Sequence, residues 1–225
     1  MQSEMKVSLD NVYSNMGNFD VLALVTPGWK KILDLGCGAG DNAKALLELG
    51  NTVDGITLSE EEADIVKKFL RNVFVYNLEN GLPEVVTEKY DVVILSHVLE
   101  HICYPGKLLQ DIKKVVHAES RIIIALPNIM NYKSRIQLLL GNFDYRDAGV
   151  WDYTHFRWYT VKSAKQLMKD NGYEIVYADV AGELPFGRIS KRILSSKVEK
   201  FLFRMLKSVS KGLFGSQLLM VVKLP

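Results

Sequence analysis

The stretch Lys31-Ile32-Leu33-Asp34-Leu35-Gly36-Cys37-Gly38-Ala39-Gly40 decides the fold. A short, mostly apolar run enters a turn with glycine at every second position, and residues 41–49 then follow a helical pattern stopped by Gly50. This reads as strand, tight turn and helix. Glycines let the backbone approach a ligand where a side chain would collide. In an open α/β sheet such a turn lies at the carboxyl end of a strand, where nucleotides bind.

The alternation continues outward from this unit. Strand patterns fall at 52–56, 73–76, 90–95, 121–126, 173–180 and 217–223. Helical patterns fall between them. Ser59, with Glu62 three positions later, is a capping box that opens a helix through Leu70. Residues 105–116 and 161–171 are further helices. The stretch 90–95 is apolar almost throughout, as a parallel strand covered on both faces should be. The pattern predicts an α/β fold: a Rossmann-like, doubly wound, mainly parallel seven-stranded sheet with helices on both faces. The 225 residues are read as one domain. Within it, 1–26 form a helical lid, 128–160 an insert on the substrate side, and 188–211 a basic amphipathic helix before the last strand.

Composition narrows the class. No apolar run approaches the ~18 residues of a membrane span. The opening Met1-Gln2-Ser3-Glu4-Met5-Lys6 lacks a signal pattern, and two cysteines give no disulfide framework, so a reducing cytoplasm is expected. The net charge of +2 conceals an asymmetry. Between Arg188 and Lys211 there are eight basic residues against one acid, Glu199, which leaves the rest of the chain net acidic. An acidic body disfavours a nucleic-acid partner, and no Asn-Pro-Pro-Tyr-type base-binding string follows 90–95. The basic helix has three uses: packing on the domain, a homodimer contact, or peripheral contact with an anionic membrane.

Two cofactors compete for the glycine turn. The dinucleotide fingerprint places its third glycine five positions after the first; here Gly40 comes four after, and Asp41 stands in that place. An acid at a helix start repels a pyrophosphate. Asp34 adds more negative charge, which suits a ligand carrying an ammonium and a sulfonium, as S-adenosylmethionine does. The string Ile32-Leu33-Asp34-Leu35-Gly36-Cys37-Gly38-Ala39-Gly40 resembles the first motif of class I S-adenosylmethionine-dependent methyltransferases. That resemblance implies cofactor contacts from Asp34, Gly36, Cys37, Gly38 and Gly40. The second strand departs from the common family pattern, since Thr57 stands where an acid usually takes the ribose. Gly55-Ile56-Thr57-Leu58-Ser59 is similar to the cyclopropane fatty acid synthase branch, in which a polar residue of the next helix assists; Glu62 matches its place. Val75-Tyr76-Asn77-Leu78 resembles the third-strand motif, which puts Asn77 and Leu78 beside the adenine. Asn77 otherwise serves as a turn former.

Methyl transfer from a sulfonium is an in-line displacement in which alignment supplies much of the rate. A general base is needed only when the acceptor holds a proton. The segment Asp91-Val92-Val93-Ile94-Leu95-Ser96-His97-Val98-Leu99-Glu100-His101 resembles the family's fourth-strand region. It implies Ser96 beside the methionine moiety, with His97 and His101 as candidate acid–base groups. His-x-x-Glu-His also reads as an inverted zinc motif. A similarity to ubiquinone-pathway O-methyltransferases in the placement of acids and a histidine would imply a divalent metal. The third ligand would have to come from elsewhere, however, and the family resemblance accounts for the string without one, so no metal is expected.

The insert adds His155. Pro127-Asn128, Gly141-Asn142-Phe143-Asp144-Tyr145 and Asp152-Tyr153-Thr154-His155-Phe156-Arg157-Trp158-Tyr159-Thr160 resemble bacterial methyltransferases associated with surface-polysaccharide biosynthesis. The resemblance covers about residues 30–180. It implies a sugar, glycan or other small-molecule hydroxyl as acceptor, with aromatics that stack on the ring. Thr160 also suits a helix cap, and Asp152 with Arg157 an ion pair that pins the loop. Two other functions fit the chain: lipid-directed methyl transfer of the cyclopropane-synthase kind, and a non-catalytic cofactor-binding partner protein like relatives in methionine biosynthesis.

Overall fold

A computed structural model describes residues 17–26, 28, 31–185 and 192–225. Most of the expected N-terminal lid, and Arg188 and Lys191 of the basic run, lie outside the described residues. Seven strands form one sheet: β1 (Lys31–Leu35), β2 (Thr52–Thr57), β3 (Asn72–Val75), β4 (Tyr90–Ser96), β5 (Val116–Pro127), β6 (Glu174–Ala181) and β7 (Gln217–Lys223). Their order is β3-β2-β1-β4-β5-β7-β6. The first five pair in parallel, and β7 runs antiparallel to both β5 and β6. The described helices are α1 (Phe19–Leu22), α2 (Asp41–Glu48), α3 (Glu60–Val66), α4 (Pro105–Ile112), α5 (Tyr132–Leu139), α6 (Val161–Asp170), α7 (Ser196–Val209) and α8 (Lys211–Phe214).

Alternation along the strands builds two cores. Ile32, Val92, Ile94, Ile123 and Ala125 face one side, where they meet Val21, Ala43, Leu46 and Val66 of α1, α2 and α3. Leu33, Leu35, Val93, Leu95, Ile122 and Ile124 face the other, against Leu108, Leu109 and Ile112 of α4 and Ala164 and Met168 of α6. Strands apolar on every residue are what this two-sided burial requires.

Two boundaries differ from the sequence pattern. Helix α4 stops at Ile112, and β5 begins at Val116 rather than near 121. The polar run there hides the strand. Ser120 donates to the carbonyl of Tyr90 and accepts from the His117 amide, which closes a register shift between Tyr90 and Val92. Helix α3 ends at Val66, short of Leu70. Its cap is half a capping box: Ser59 accepts from the Glu62 amide at 3.3 Å, but the Glu62 carboxylate takes the Thr57 hydroxyl instead of returning to Ser59.

Helix α7 is only partly packed on the domain. None of its residues is buried. Leu202, Phe203 and Leu206 are half-buried, and Lys207 and Lys211 both pair with Asp179 of β6. Val198, Phe201, Met205 and Val209 form a second apolar stripe, and it is exposed. Among the described residues no helix is long and apolar enough to cross a membrane.

Candidate functional site

The chain leaves β1 toward one edge of the sheet and β4 toward the other, so the strand order reverses between them. Ligands of open α/β sheets bind in the crevice at that point, beyond the carboxyl ends. The residues that follow β1 and β4 flank it. Gly36, Gly38 and Gly40 have φ of +71°, +52° and +82°, a region closed to most side chains. A Cβ on Gly36 would lie 2.8 Å from Cγ2 of Val98, so the two post-strand segments touch there. Gly36 is exposed and Gly38 half-exposed, as a ligand cradle needs.

Two residues of the first motif also serve the packing. Gly40 is buried, caps α2, and would drive a Cβ into Val66 and Phe69 at 2.8 and 2.7 Å; its smallness serves the packing of α2 on α3. The Cys37 side chain is buried in the core, its Sγ filling the space left by Gly55, and its amide donates to Ile56. Burial raises the thiol's pKa, and the carboxylates of Asp34 and Glu62 raise it further, which places both acids near this turn.

Asp34 is the strongest cofactor feature. It is buried on β1, and neither carboxylate oxygen has a hydrogen-bond partner. Burial pushes its pKa from 3.8 up to about 7. An orphaned buried carboxylate beneath the glycine turn fits a cationic ligand. At the end of β2, Thr57 donates to Glu62, so the two residues assigned to the ribose form one buried unit. Asp54 faces away from it and is held by Arg71 and by Tyr90, whose hydroxyl lies at 2.7 Å. Asn77 is exposed and caps the single turn Leu78–Asn80 by accepting from the Glu79 amide at 2.9 Å. One oxygen lone pair and the amide protons stay available to a ligand. Leu78 rests half-buried against the core.

Past β4 the backbone turns sharply. Among the described residues His97 alone is a non-glycine with positive φ, at 58°. Its Nδ1 lies 3.1 Å from Glu100 Oε1, and its Nε2 lies 2.6 Å from Gln217 Oε1. Gln217 Oε1 also accepts from Asn18 Nδ2 at 2.8 Å, and Asn18 reaches Ser96 Oγ at 3.2 Å. An oxygen that accepts from both must receive the His97 Nε2 proton. Burial lowers the His97 pKa, but the bonds to Glu100 and Gln217 outweigh it and the net shift is upward. His97 therefore anchors Glu100, with both ring nitrogens engaged.

His101 and His155 are different. Their rings meet edge-on with centroids 4.7 Å apart. Thr154 Oγ1 donates to Asp152 Oδ1 at 2.6 Å, so toward His101 Nδ1, 3.0 Å away, it acts as acceptor. The Thr154 carbonyl, at 3.3 Å, also accepts. His155 Nδ1 faces the Val150 carbonyl at 3.3 Å. Both rings thus donate through Nδ1, and none of these contacts uses Nε2. Burial lowers the His101 pKa, and His155 adds to that, so its neutral form is favoured.

The insert is tied down by backbone rather than by the expected ion pair. Arg157 Nε donates to the Cys103 carbonyl at 2.6 Å, not to Asp152, and the amides of Phe156 and Arg157 bond to the Glu100 carbonyl. Thr160 caps α6 in a full capping box with Ser163. Trp158 Nε1 shares the Val150 carbonyl with His155, at 3.0 Å, and Trp158 stacks edgewise on Phe143. Phe143 and Tyr145 are exposed, which leaves an aromatic rim beside the histidines. Sequence reading missed Asn18, Gln217 and Thr154. Their contacts span up to 199 positions and carry no local signal.

Comparison with known proteins identifies the domain and the fold. A methyltransferase-domain family matches residues 13–178. Curated relatives include the ubiquinone biosynthesis O-methyltransferase of Coxiella burnetii, 24% identical over 139 residues that cover 59% of each chain. The protein of the same name from a Shewanella species is 27% identical over 117 residues, 50% of this chain and 49% of that one. The chain thus spans between half and three-fifths of the length of these relatives. Among solved structures, an S-adenosylmethionine-dependent methyltransferase from Archaeoglobus fulgidus superposes with a TM-score of 0.62 at 21% identity, covering 88% of this chain and 87% of that one. A Burkholderia thailandensis 1,6-didemethyltoxoflavin-N1-methyltransferase, solved with S-adenosylhomocysteine, gives 0.56 at 16% identity, covering 92% and 77%. With most of its length inside the matched domain and an orphaned acid beneath the glycine turn, the chain belongs to the methyltransferase-domain family, and its cofactor is S-adenosylmethionine.

Proposed function

We propose that this protein transfers the methyl group of S-adenosylmethionine to a hydroxyl oxygen of a sugar or glycan. The observation that carries the reading is the pair His101 and His155. The two rings meet edge-on, and His155 shares the Val150 carbonyl with Trp158, which packs with Phe143 and Tyr145 in the aromatic rim. A hydroxyl must lose its proton as the new bond forms, and a neutral imidazole accepts it. Aromatic faces suit the apolar face of a sugar ring. The O-methyltransferase relatives support oxygen as the acceptor atom. Asp34, Gly36, Gly38, Thr57, Glu62, Asn77, Leu78 and Ser96 line or support the cofactor side, and His97 holds Glu100 in place.

The test is transfer of labelled methyl from S-adenosylmethionine to an acceptor panel, with no partner protein added. Nucleotide sugars and lipid-linked glycans should be labelled and yield an alkali-stable methyl ether. Labelling of a catechol alone would move the acceptor to the phenolic class of the ubiquinone relatives. Labelling of unsaturated lipid would favour the carbon-directed reading. No turnover with cofactor bound would favour a non-catalytic partner.

Helix α7 supports an accessory role at an anionic membrane, where lipid-linked acceptors lie. Its exposed stripe of Val198, Phe201, Met205 and Val209 runs beside Lys197, Lys200 and Arg204, which make no ion pair among the described residues. Basic residues near an anionic surface contribute ~1 kcal/mol each. Co-sedimentation should occur with anionic vesicles and not with neutral ones. It should weaken with salt and vanish when Lys197, Lys200 and Arg204 become Glu. No sedimentation at low salt, with a dimer seen instead, would assign the stripe to a second copy.

A further inference from the structure

The zinc reading of His97-x-x-Glu100-His101 lacked a third ligand. The fold supplies one and rejects another. One ligand atom each from Glu100, His101 and His155 lie within 4.8 Å of one another. His155 comes from the insert, 54 positions beyond His101, and no spacing rule would pair them. His97 is excluded because both of its nitrogens are engaged.

Three further observations point to a ligand. Glu100 is fully buried, and its Oε2 has no hydrogen-bond partner. A buried carboxylate oxygen without a partner is costly, and in folded proteins such an oxygen is paired, protonated or bound to a cation. Its other oxygen, Oε1, is fixed by His97. Both other histidines hold their protons on Nδ1 against oxygen acceptors, Thr154 for His101 and Val150 for His155, which presents Nε2 as the donor atom. An outer shell that fixes ring tautomer and carboxylate orientation in this way is the usual support of a metal ligand set.

We propose that Glu100, His101 and His155 form a binding site for one divalent transition-metal cation. Two imidazoles and one carboxylate select zinc, manganese, iron or cobalt over magnesium or calcium, which take oxygen ligands. Three protein ligands leave open positions on the cation, where an acceptor hydroxyl would find a Lewis acid that eases loss of its proton; with the cation bound, the two Nε2 lone pairs belong to the metal, and the imidazoles act as bases only in its absence. The role rests on the acceptor reading above; the binding does not.

The experiment uses the full chain after chelator treatment. Zinc should bind at one equivalent per chain by calorimetry. Cobalt should shift two exchangeable imidazole N–H resonances far downfield, because both Nδ1 protons are retained. His101→Ala and His155→Ala should each remove one shifted resonance and weaken zinc at least ~100-fold, while His117→Ala, at the start of β5, should change neither. Glu100→Gln should weaken zinc comparably, and the histidine variants carry the test if that variant fails to fold. Absence of shifted resonances, zinc affinity unchanged in both histidine variants, or binding of magnesium but not zinc would overturn the proposal. Calorimetry with S-adenosylhomocysteine on the same samples keeps the readings apart. Loss of that binding in the wild type would remove the methyltransferase reading and leave the cation result standing.

Discussion

Alanine at His101 should lower methyl transfer by roughly 10²–10⁴-fold while leaving S-adenosylhomocysteine affinity unchanged. The size follows from what the residue loses. His101 is half-buried, favoured in its neutral form, and held in one tautomer by the chain Asp152–Thr154–His101, in which the Thr154 proton goes to Asp152 and the His101 proton to Thr154. Thr154→Val breaks that chain and should cost less, about tenfold, because the ring remains but its tautomer is no longer imposed. His155→Ala should fall in the same range as His101→Ala. The double variant should be little worse than either single one if the pair acts as a unit. Single-turnover rates with labelled cofactor check all four variants. Near-normal turnover in the double variant would show that the acceptor's proton is handled elsewhere.

The second large effect is at Asp34. Replacement by Asn should weaken S-adenosylhomocysteine roughly 100-fold, since breaking a buried charge pair by removing one partner is strongly destabilising. The same variant should stabilise the cofactor-free protein at neutral and higher pH. The carboxyl's pKa rises from 3.8 unfolded to about 7 folded. The folded state therefore favours the protonated acid. Its stabilising contribution is full below about pH 4 and is lost as pH rises through 7. Above pH 7 the cofactor-free wild type holds an ionised, unpartnered carboxylate, which Asn does not. Relief of an unsatisfied buried group of ~1–3 kcal/mol should raise the melting temperature at pH 8 by several degrees. At pH 4 the two proteins should melt alike. Cofactor analogue should stabilise the wild type much more than the variant at pH 8. Equal affinities for S-adenosylhomocysteine would remove Asp34 from the cofactor site.

How much of this was legible beforehand depends on the range of each interaction. The turn after β1 is local: glycine spacing, the preceding apolar run and the following helix all lie within twenty residues, and the fold followed from them. The alternation of strand and helix was equally local, apart from β5, whose start at 116–120 is largely polar and concealed five residues of strand. The motif assigns Gly40 and Cys37 to the cofactor; it does not show that Val66 and Phe69 leave no room for a Cβ at Gly40, or that Gly55 on β2 makes the space the Cys37 side chain fills. Only packing decides which face of a turn is wet.

The acceptor side was legible as residue types and not as an arrangement. His97 and His101 looked equivalent in sequence, four positions apart. The fold separates them, because Gln217 on the last strand and Asn18 near the start saturate His97, whereas Thr154 leaves His101 Nε2 free. Likewise α7 read as an amphipathic helix with one apolar face, and tertiary packing split that face into a half-buried strip and an exposed one. By itself the sequence determined the α/β class, the cofactor chemistry and the candidate histidines, since each is written in contacts between near neighbours along the chain. The tertiary structure decided the pairing of His101 with His155, the anchoring role of His97, the orphaned oxygens of Asp34 and Glu100, and the exposed stripe of α7. Each of these depends on which distant groups share a burial site, and burial is a property of the packed chain.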